Sequence, residues 1–279
     1  IYIYMNICIG TAQIGSKYGV TNSEEFDLNT VDKFLSLALR DKNNFIDTAH
    51  NYKSEKIIGN FKKLDKFNVI SKISLSQLKI NEKNIEKKIN KILNNLKLKK
   101  IYALLIHDSF LFTKKELKYI FEILNNYNTS YFQKIGISIY DPRDYYRFKN
   151  ISEINIIQFP LNILDQRFIN LLDDMKNNNI EVHARSIFLQ GKLIDSSNSI
   201  FTDLKRVDNY VKKNKYNKLD FSIKFIKNFN NIDKIVCGFN SIQHYREVVK
   251  SINKNQIKSK IDYSVFKSNN RLLIDPRKW

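Results

Sequence analysis

Four residues in the first half of the chain have side chains suited to moving protons, and each lies where a short apolar run ends. Asp47 falls in the run Asn44–Thr48, with Tyr52 shortly after it. Lys72 sits inside Val69–Ser74, and His107 closes Tyr102–His107. A lysine within an apolar strand is costly to bury without a partner, so Lys72 calls for a chemical explanation. A cation beside a phenol favours phenolate and lowers its pKa, and a carboxylate keeps that lysine charged. A histidine alongside can orient or polarise a carbonyl oxygen. Together the four would form a general acid able to protonate an alkoxide while another group delivers hydride. Taken singly, Asp47 also fits an N-cap of the next helix and His107 a satisfied structural group. The joint occurrence carries the chemical reading.

To converge, these residues need strands that all end on one side. Apolar runs suited to strands occur at Ile7–Gly10, Asn44–Thr48, Val69–Ser74, Tyr102–His107, Ile135–Ile139, Ile156–Phe159, Glu181–Ile187 and Lys234–Gly238. Segments of helical period separate them. In Asn81–Leu98, Ile85, Ile89, Ile92, Leu93 and Leu96 share one face. Val31, Phe34, Leu35 and Ala38 repeat the pattern, as do Leu117, Ile120, Phe121 and Leu124, and then Phe168, Leu171, Leu172 and Met175. Apolar strands each followed by a helix imply parallel pairing with both faces covered. Eight units at intervals of about 25 to 35 residues predict a single-domain α/β protein, a (β/α)8 TIM barrel over residues 1–279. The turn after the first strand, Gly10-Thr11-Ala12-Gln13-Ile14-Gly15, lacks the G-x-G-x-x-G pattern of an open dinucleotide-binding sheet. The polar stretch Gln190–Asp208 is the longest irregular piece and reads as a lid beside the site.

Composition narrows the class further. The formal net charge is +19, but lysines recur on nearly every helical segment without a basic stripe interleaved with aromatics, so a nucleic-acid partner is not expected. An anionic cofactor or substrate would still be attracted. No apolar run is long enough for a membrane span, and Ile1–Gly10 lacks the basic flank and cleavage site of a signal peptide. Cys8 and Cys237 are too few for a disulfide framework, which together with the missing leader points to the cytoplasm. No metal is expected, and the oligomeric state stays open.

Asp47-Thr48-Ala49-His50-Asn51-Tyr52-Lys53-Ser54-Glu55 resembles the D-T-A-x-x-Y-G-x-S-E segment of the aldo-keto reductase family, with Lys53 where glycine is usual. Ile70-Ser71-Lys72 is similar to that family's lysine strand and Leu104-Leu105-Ile106-His107 to its histidine strand. The resemblance implies carbonyl reduction with Tyr52 as acid, Lys72 and Asp47 as its tuning pair and His107 as the orienting group. It further implies a nicotinamide cofactor. Gly136-Ile137-Ser138 resembles G-V-S-N, so Ser138 would hold the carboxamide, although Ile139 replaces the asparagine. Gln158 falls where the family glutamine touches the same group. In Ala184-Arg185-Ser186, Arg185 replaces the aromatic that stacks on nicotinamide, and a guanidinium plane can also stack. Thr11 lies in the first cofactor turn. Gly238-Phe239-Asn240-Ser241 with Glu247 is similar to the last phosphate and adenosine loop, where a helix start offers free N–H groups to phosphate. Asn240 stands where the family often has Arg or Lys, which implies NADP as cofactor with NAD also usable.

A branch of bacterial aldo-keto reductases associated with surface-glycan genes shares further segments: Gly10–Gly15 with Tyr18-Gly19, Pro160–Arg167, Arg185–Gly191 and Asp275–Trp279. That likeness implies a small-molecule substrate that is a sugar-derived or other polar carbonyl compound. Arg167 and Arg185 would suit an anionic or hydroxyl-rich ligand, and Arg167 equally suits a surface position at a helix start. A competing reading is a redox-sensing or regulatory barrel that binds the cofactor with little turnover. The intact set Asp47, Tyr52, Lys72 and His107 favours the enzyme.

Overall fold

Eight parallel strands close on one another in chain order, β1 against β2 and onward, with β8 returning to β1. They are β1 (Asn6–Gly10), β2 (Phe45–Asp47), β3 (Asn68–Ile73), β4 (Ile101–Ile106), β5 (Phe132–Ser138), β6 (Ile156–Pro160), β7 (Glu181–Arg185) and β8 (Lys234–Gly238). The helices are α1 (Val31–Arg40), α2 (Ser54–Ile58), α3 (Glu82–Leu96), α4 (Lys114–Asn125), α5 (Pro142–Phe148), α6 (Leu172–Asn177), α7 (Thr202–Lys213), α8 (Lys218–Ile226), α9 (Ile242–Asn253) and α10 (Arg271–Ile274). This computed structural model describes residues 6–16, 26–196, 199–254 and 260–278. Tyr18-Gly19, Trp279 and the Ser197-Asn198 part of the expected lid lie outside the described residues. Among the described residues no helix is long and apolar enough to cross a membrane.

Strand alternation divides the apolar residues into two layers. Cys8, Ile70, Ala103, Leu105 and Ile156 form a small cluster inside the barrel. The larger core, with Ile9, Ile46, Leu104, Ile106 and Ile157, packs outward against helix residues such as Phe34, Ile89 and Phe121. Cys8 and Cys237 lie on the paired strands β1 and β8, one step out of register, with Cys8 opposite Val236 and Ile9 opposite Cys237. The two thiols therefore face opposite sides of the sheet, and both are free and buried.

At the strands' amino ends Glu181 accepts hydrogen bonds from Tyr102 (2.6 Å), Lys134 (2.5 Å) and the His183 ring (2.8 Å). Burial alone would push its carboxyl up, but the bonds from His183, Lys134 and Tyr102 hold it well below the usual carboxylate range. This polar layer sits at the end of the barrel opposite the site described below, and it anchors β4, β5 and β7 to one another.

Most strand bounds agree with the sequence expectation to within one residue, and four segments differ by more. β7 stops at Arg185 rather than Ile187, because Ser186 (φ 55°) leaves the extended region. β5 starts at Phe132, three residues before the expected run. Residues 202–208 of the expected irregular stretch are the first turns of α7, whose Leu204, Val207 and Val211 are buried. The segment after Phe168 is a 3-10 turn at Ile169–Leu171 before α6 begins.

Candidate active site

The loop from β2 into α2 is held at almost every residue. Thr48 N–H donates to Ile70 O (2.9 Å), His50 N–H to Lys72 O (2.8 Å) and Tyr52 N–H to Ala49 O (2.8 Å). The buried Ser54 hydroxyl bonds those of Thr11 (2.9 Å) and Thr48 (3.2 Å), while Thr11 also donates to Asp47 O (3.1 Å). Glu55, fully buried, accepts from Ser71 (2.7 Å) and Asn95 (3.1 Å). Thr48, Ser54 and Glu55 thus fix the loop that carries Tyr52. Lys53 sits at φ −62°, ψ −24°, ordinary helical backbone, so glycine is not required there. Gly15 is required instead: at φ 80° a Cβ would lie 2.3 Å from Ile57 Cδ1.

Lys72 and Asp47 form a buried ion pair, Nζ to Oδ1 2.5 Å, with side chains 3% and 6% exposed. Lys72 also donates to Thr48 O (2.9 Å), and Gln158 Nε2 donates to Asp47 Oδ2 (2.8 Å). The ammonium therefore bonds the last residue of β2 and the carbonyl just after it, and stands 5.7 Å from the centre of the Tyr52 ring. Burial, then Asp47, push the phenol well above its ordinary value, and Arg185 works against that rise. Tyr52 meets His107 edge to face with ring centres 6.3 Å apart. Burial, with Lys72 and Arg185, brings the His107 imidazole down to about 4, so it is neutral at pH 7.

Asp47, Tyr52, Lys72 and His107 line a single cleft at the carboxyl ends of the strands, about 1210 Å³ counted out to its open mouth. Of the expected cofactor residues, Thr11, Gln158, Arg185, Gly238 and Asn240 line it too. Ser138, Ser241 and Glu247 do not. Ser138 lies just behind, opposite Gln158 in register. Ser241 caps α9, accepting from His244 N–H (3.1 Å), and Glu247 bonds Gln243 (2.9 Å) on the exposed face of the helix. Arg167 is not in the cleft; Asp165 clamps it through Nε and Nη2, both at 2.6 Å. Gln190, Gly191, Ile194 and Asp195, at the start of the stretch Gln190–Asp208 read from sequence as a lid, line the cleft together with Phe188. Gln13 and Tyr140 line the cleft without having been assigned a role from sequence. Gln13 had a signal in the quoted turn; Tyr140 had only its position after the Ser138 segment.

Three polar atoms at this wall lack partners among the described residues, one of them Gln13 Oε1. Because Asp47 can only accept, the Gln158 amide turns its N–H2 toward it, and Oε1 is left buried and unpaired. The Ser138 hydroxyl is also buried and unpaired. An amide ligand offering both a donor and an acceptor would satisfy the pair. Gln13 packs so closely on Gly238 that a Cβ there would meet its Oε1 at 2.3 Å.

A closed (β/α)8 barrel with a tyrosine, a histidine and a buried Lys–Asp pair at its carboxyl-end cleft defines a barrel of the reductase kind. The chain belongs to the aldo/keto reductase family, whose model matches residues 6–264. The family implies an oxidoreductase acting on carbonyl compounds. The fold is similar to that of an aldo-keto reductase from Bacillus halodurans in its holo form (TM-score 0.71, 16% identity, covering 91% of this chain and 88% of that one). It is also similar to a glycerol dehydrogenase from Gluconobacter oxydans (TM-score 0.68, 18% identity, 90% and 87% covered). A thermostable aldo-keto reductase in complex with the inhibitor epalrestat superposes at TM-score 0.69, with 18% identity and 93% of each chain covered. No curated protein matches the chain.

Proposed function

We propose that this protein reduces an aldehyde or ketone with a nicotinamide dinucleotide, NADPH by preference and NADH usable, and that Tyr52 donates the proton. The observation that carries the reading is the buried Lys72–Asp47 pair beneath Tyr52 and His107 at the floor of the cleft. A charged pair is not held there for stability alone, since apolar residues of similar size serve that purpose as well or better.

Ser138 and Gln158 have the unpaired atoms suited to the carboxamide, and Thr11, Arg185 and Gly238 line the wall beside them. Asn240, Ser241 and the first amides of α9 would hold phosphate, with Glu247 further along the helix at the adenosine end. When bound, the reduced nicotinamide supplies hydride to the carbonyl carbon. Tyr52, protonated at neutral pH because burial pushes its phenol up, gives its proton to the carbonyl oxygen. Neutral His107 offers one N–H to orient that oxygen. Arg185 favours the phenolate left behind, and Lys72 holds the Asp47–Gln158 arrangement that leaves Oε1 of Gln158 open to a ligand. The substrate in this reading is a small, polar, sugar-derived carbonyl, in keeping with the cleft's Gln13, Arg185, Gln190 and His244 and with the likeness to the surface-glycan branch. A cytoplasmic location agrees with two free, buried thiols.

Tyr52→Phe tests the reading. Turnover of NADPH with an aldehyde is expected to fall by about 10²–10⁴-fold while NADPH still binds, read by fluorescence quenching. A variant keeping more than a tenth of the activity removes Tyr52 from the role.

A further inference from the structure

Arg185 is the last residue of β7 and points its guanidinium into the cleft mouth, half-buried. Its guanidinium carbon lies over the Tyr140 ring, 4.1 Å from the centre. Arg277 covers the same ring at 4.6 Å and reaches Phe110 at 4.9 Å. Asp275, 2% exposed, grips Arg277 through Nε (2.9 Å) and Nη2 (2.7 Å). The segment 275–277 after α10 thus pins Tyr140, and Tyr140 pins Arg185. A stacked guanidinium keeps its N–H edge free for planar recognition.

That edge is weakly used. Nη2 reaches Ile139 O at 3.3 Å and Nη1 reaches Ser186 Oγ at 3.5 Å, both long. Nearby Arg167 and Arg277 are each neutralised by a carboxylate, Asp165 and Asp275. Arg185 has no ion-pair partner among the described residues, and Asp47 in the same cleft is taken by Lys72 and Gln158. Its charge reaches Asp165, but that carboxylate is already held by Arg167; a half-buried cation pinned on a ring and without a direct ion pair is placed to meet a charge from outside.

We infer that Arg185 binds an anionic group of the substrate, so that the protein acts on carbonyl compounds bearing a carboxylate or a phosphate rather than on neutral sugars. This rests on the carbonyl reduction proposed above and narrows its substrate class. Arg185 sits close enough to Tyr52 and His107 to bear on the ionisation of both. The anionic group must then lie within a few bonds of the reacting carbonyl.

The test compares matched aldehydes in the full-length protein: 4-carboxybenzaldehyde against its methyl ester, and 4-formylphenyl phosphate against 4-methoxybenzaldehyde. The readout is the ratio of kcat/KM, anionic over neutral, in which a general loss of activity cancels. The wild type is expected to favour at least one anionic partner by about ten- to hundredfold, the size of a charge-assisted hydrogen bond. The pair showing the larger ratio distinguishes carboxylate from phosphate. In Arg185→Gln the ratio falls toward one, mainly through KM, and Arg185→Lys keeps part of it. Binding of the unreactive 4-methylbenzoate and phenyl phosphate, measured by calorimetry with and without NADP⁺, gives a readout that needs no turnover. Binding of either that is lost in Arg185→Gln, in a protein that reduces no aldehyde, sinks the proposed reaction and leaves this site standing. Reduction of aldehydes without anionic preference in the wild type overturns the inference, as does a loss of NADPH affinity in Arg185→Gln equal to the loss for the anion.

Discussion

Removing one member of the Lys72–Asp47 pair is expected to cost far more than removing both. The two side chains are 3% and 6% exposed and 2.5 Å apart. Beyond each other they have one polar neighbour each, Thr48 O for Lys72 and Gln158 Nε2 for Asp47. In Lys72→Met the carboxylate stays in place with only Gln158 to stabilise it, and a buried charge left so costs about 3–5 kcal/mol. At roughly 2.1 cal/mol/K of unfolding entropy per residue, a chain of this size should lose roughly 5–9 °C in Tm. Asp47→Asn leaves the ammonium unneutralised and should lose a similar amount. The double variant holds no buried charge, so its loss should be no larger than that of either single change. That corresponds to a coupling of about 3 kcal/mol or more between the sites. Thermal melts and urea unfolding of the four proteins at pH 7 measure this directly. A loss below about 1 kcal/mol for Lys72→Met, or a double variant whose loss equals the sum of the singles, refutes the burial argument.

Two further outcomes follow from the site. His107, brought down to about 4, is protonated in the unfolded chain before it is in the folded one as pH falls. It therefore contributes stability that is present above about 6.5 and lost between about 6.5 and about 4. His107→Gln should shrink the difference in unfolding free energy between pH 7 and pH 4.5, leaving the similar share due to His50, also brought down to about 4; an unchanged difference removes His107 from that role. Asn240→Arg should raise the NADPH-over-NADH ratio of kcat/KM by about tenfold or more through a charge-assisted bond to the 2′-phosphate, and no change in the ratio would place that phosphate away from Asn240.

Much of the barrel was legible because a strand covered on both faces must be apolar on both, and such runs stand out against lysine-rich helices. β5 was read short for the converse reason. Its first half carries Gln133 and Lys134, and Lys134, with its side chain still 37% exposed, pairs with Glu181 from β7. A polar residue matched across strands looks like a loop residue until its partner is known. The turns of α7 were missed although Leu204, Val207 and Val211 hold helical spacing, because three apolar positions in a polar stretch make a weak period. The end of β7 depends on the positive φ of Ser186, which residue type does not announce.

The same limit governs the site. Strand ends say which residues meet at a mouth, and Asp47, Tyr52, Lys72 and His107 do meet there. They do not say where an ammonium spends its three hydrogens. Lys72 directs one bond at Asp47 in β2 and one at Thr48 O just after it, and so holds Asp47. Arg185, whose charge also bears on the phenol, stands where the family resemblance implies an aromatic ring and no charge. The substitution thus puts two demands on one residue: Arg185 stabilises negative charge on Tyr52 and, in the inference above, negative charge on the substrate.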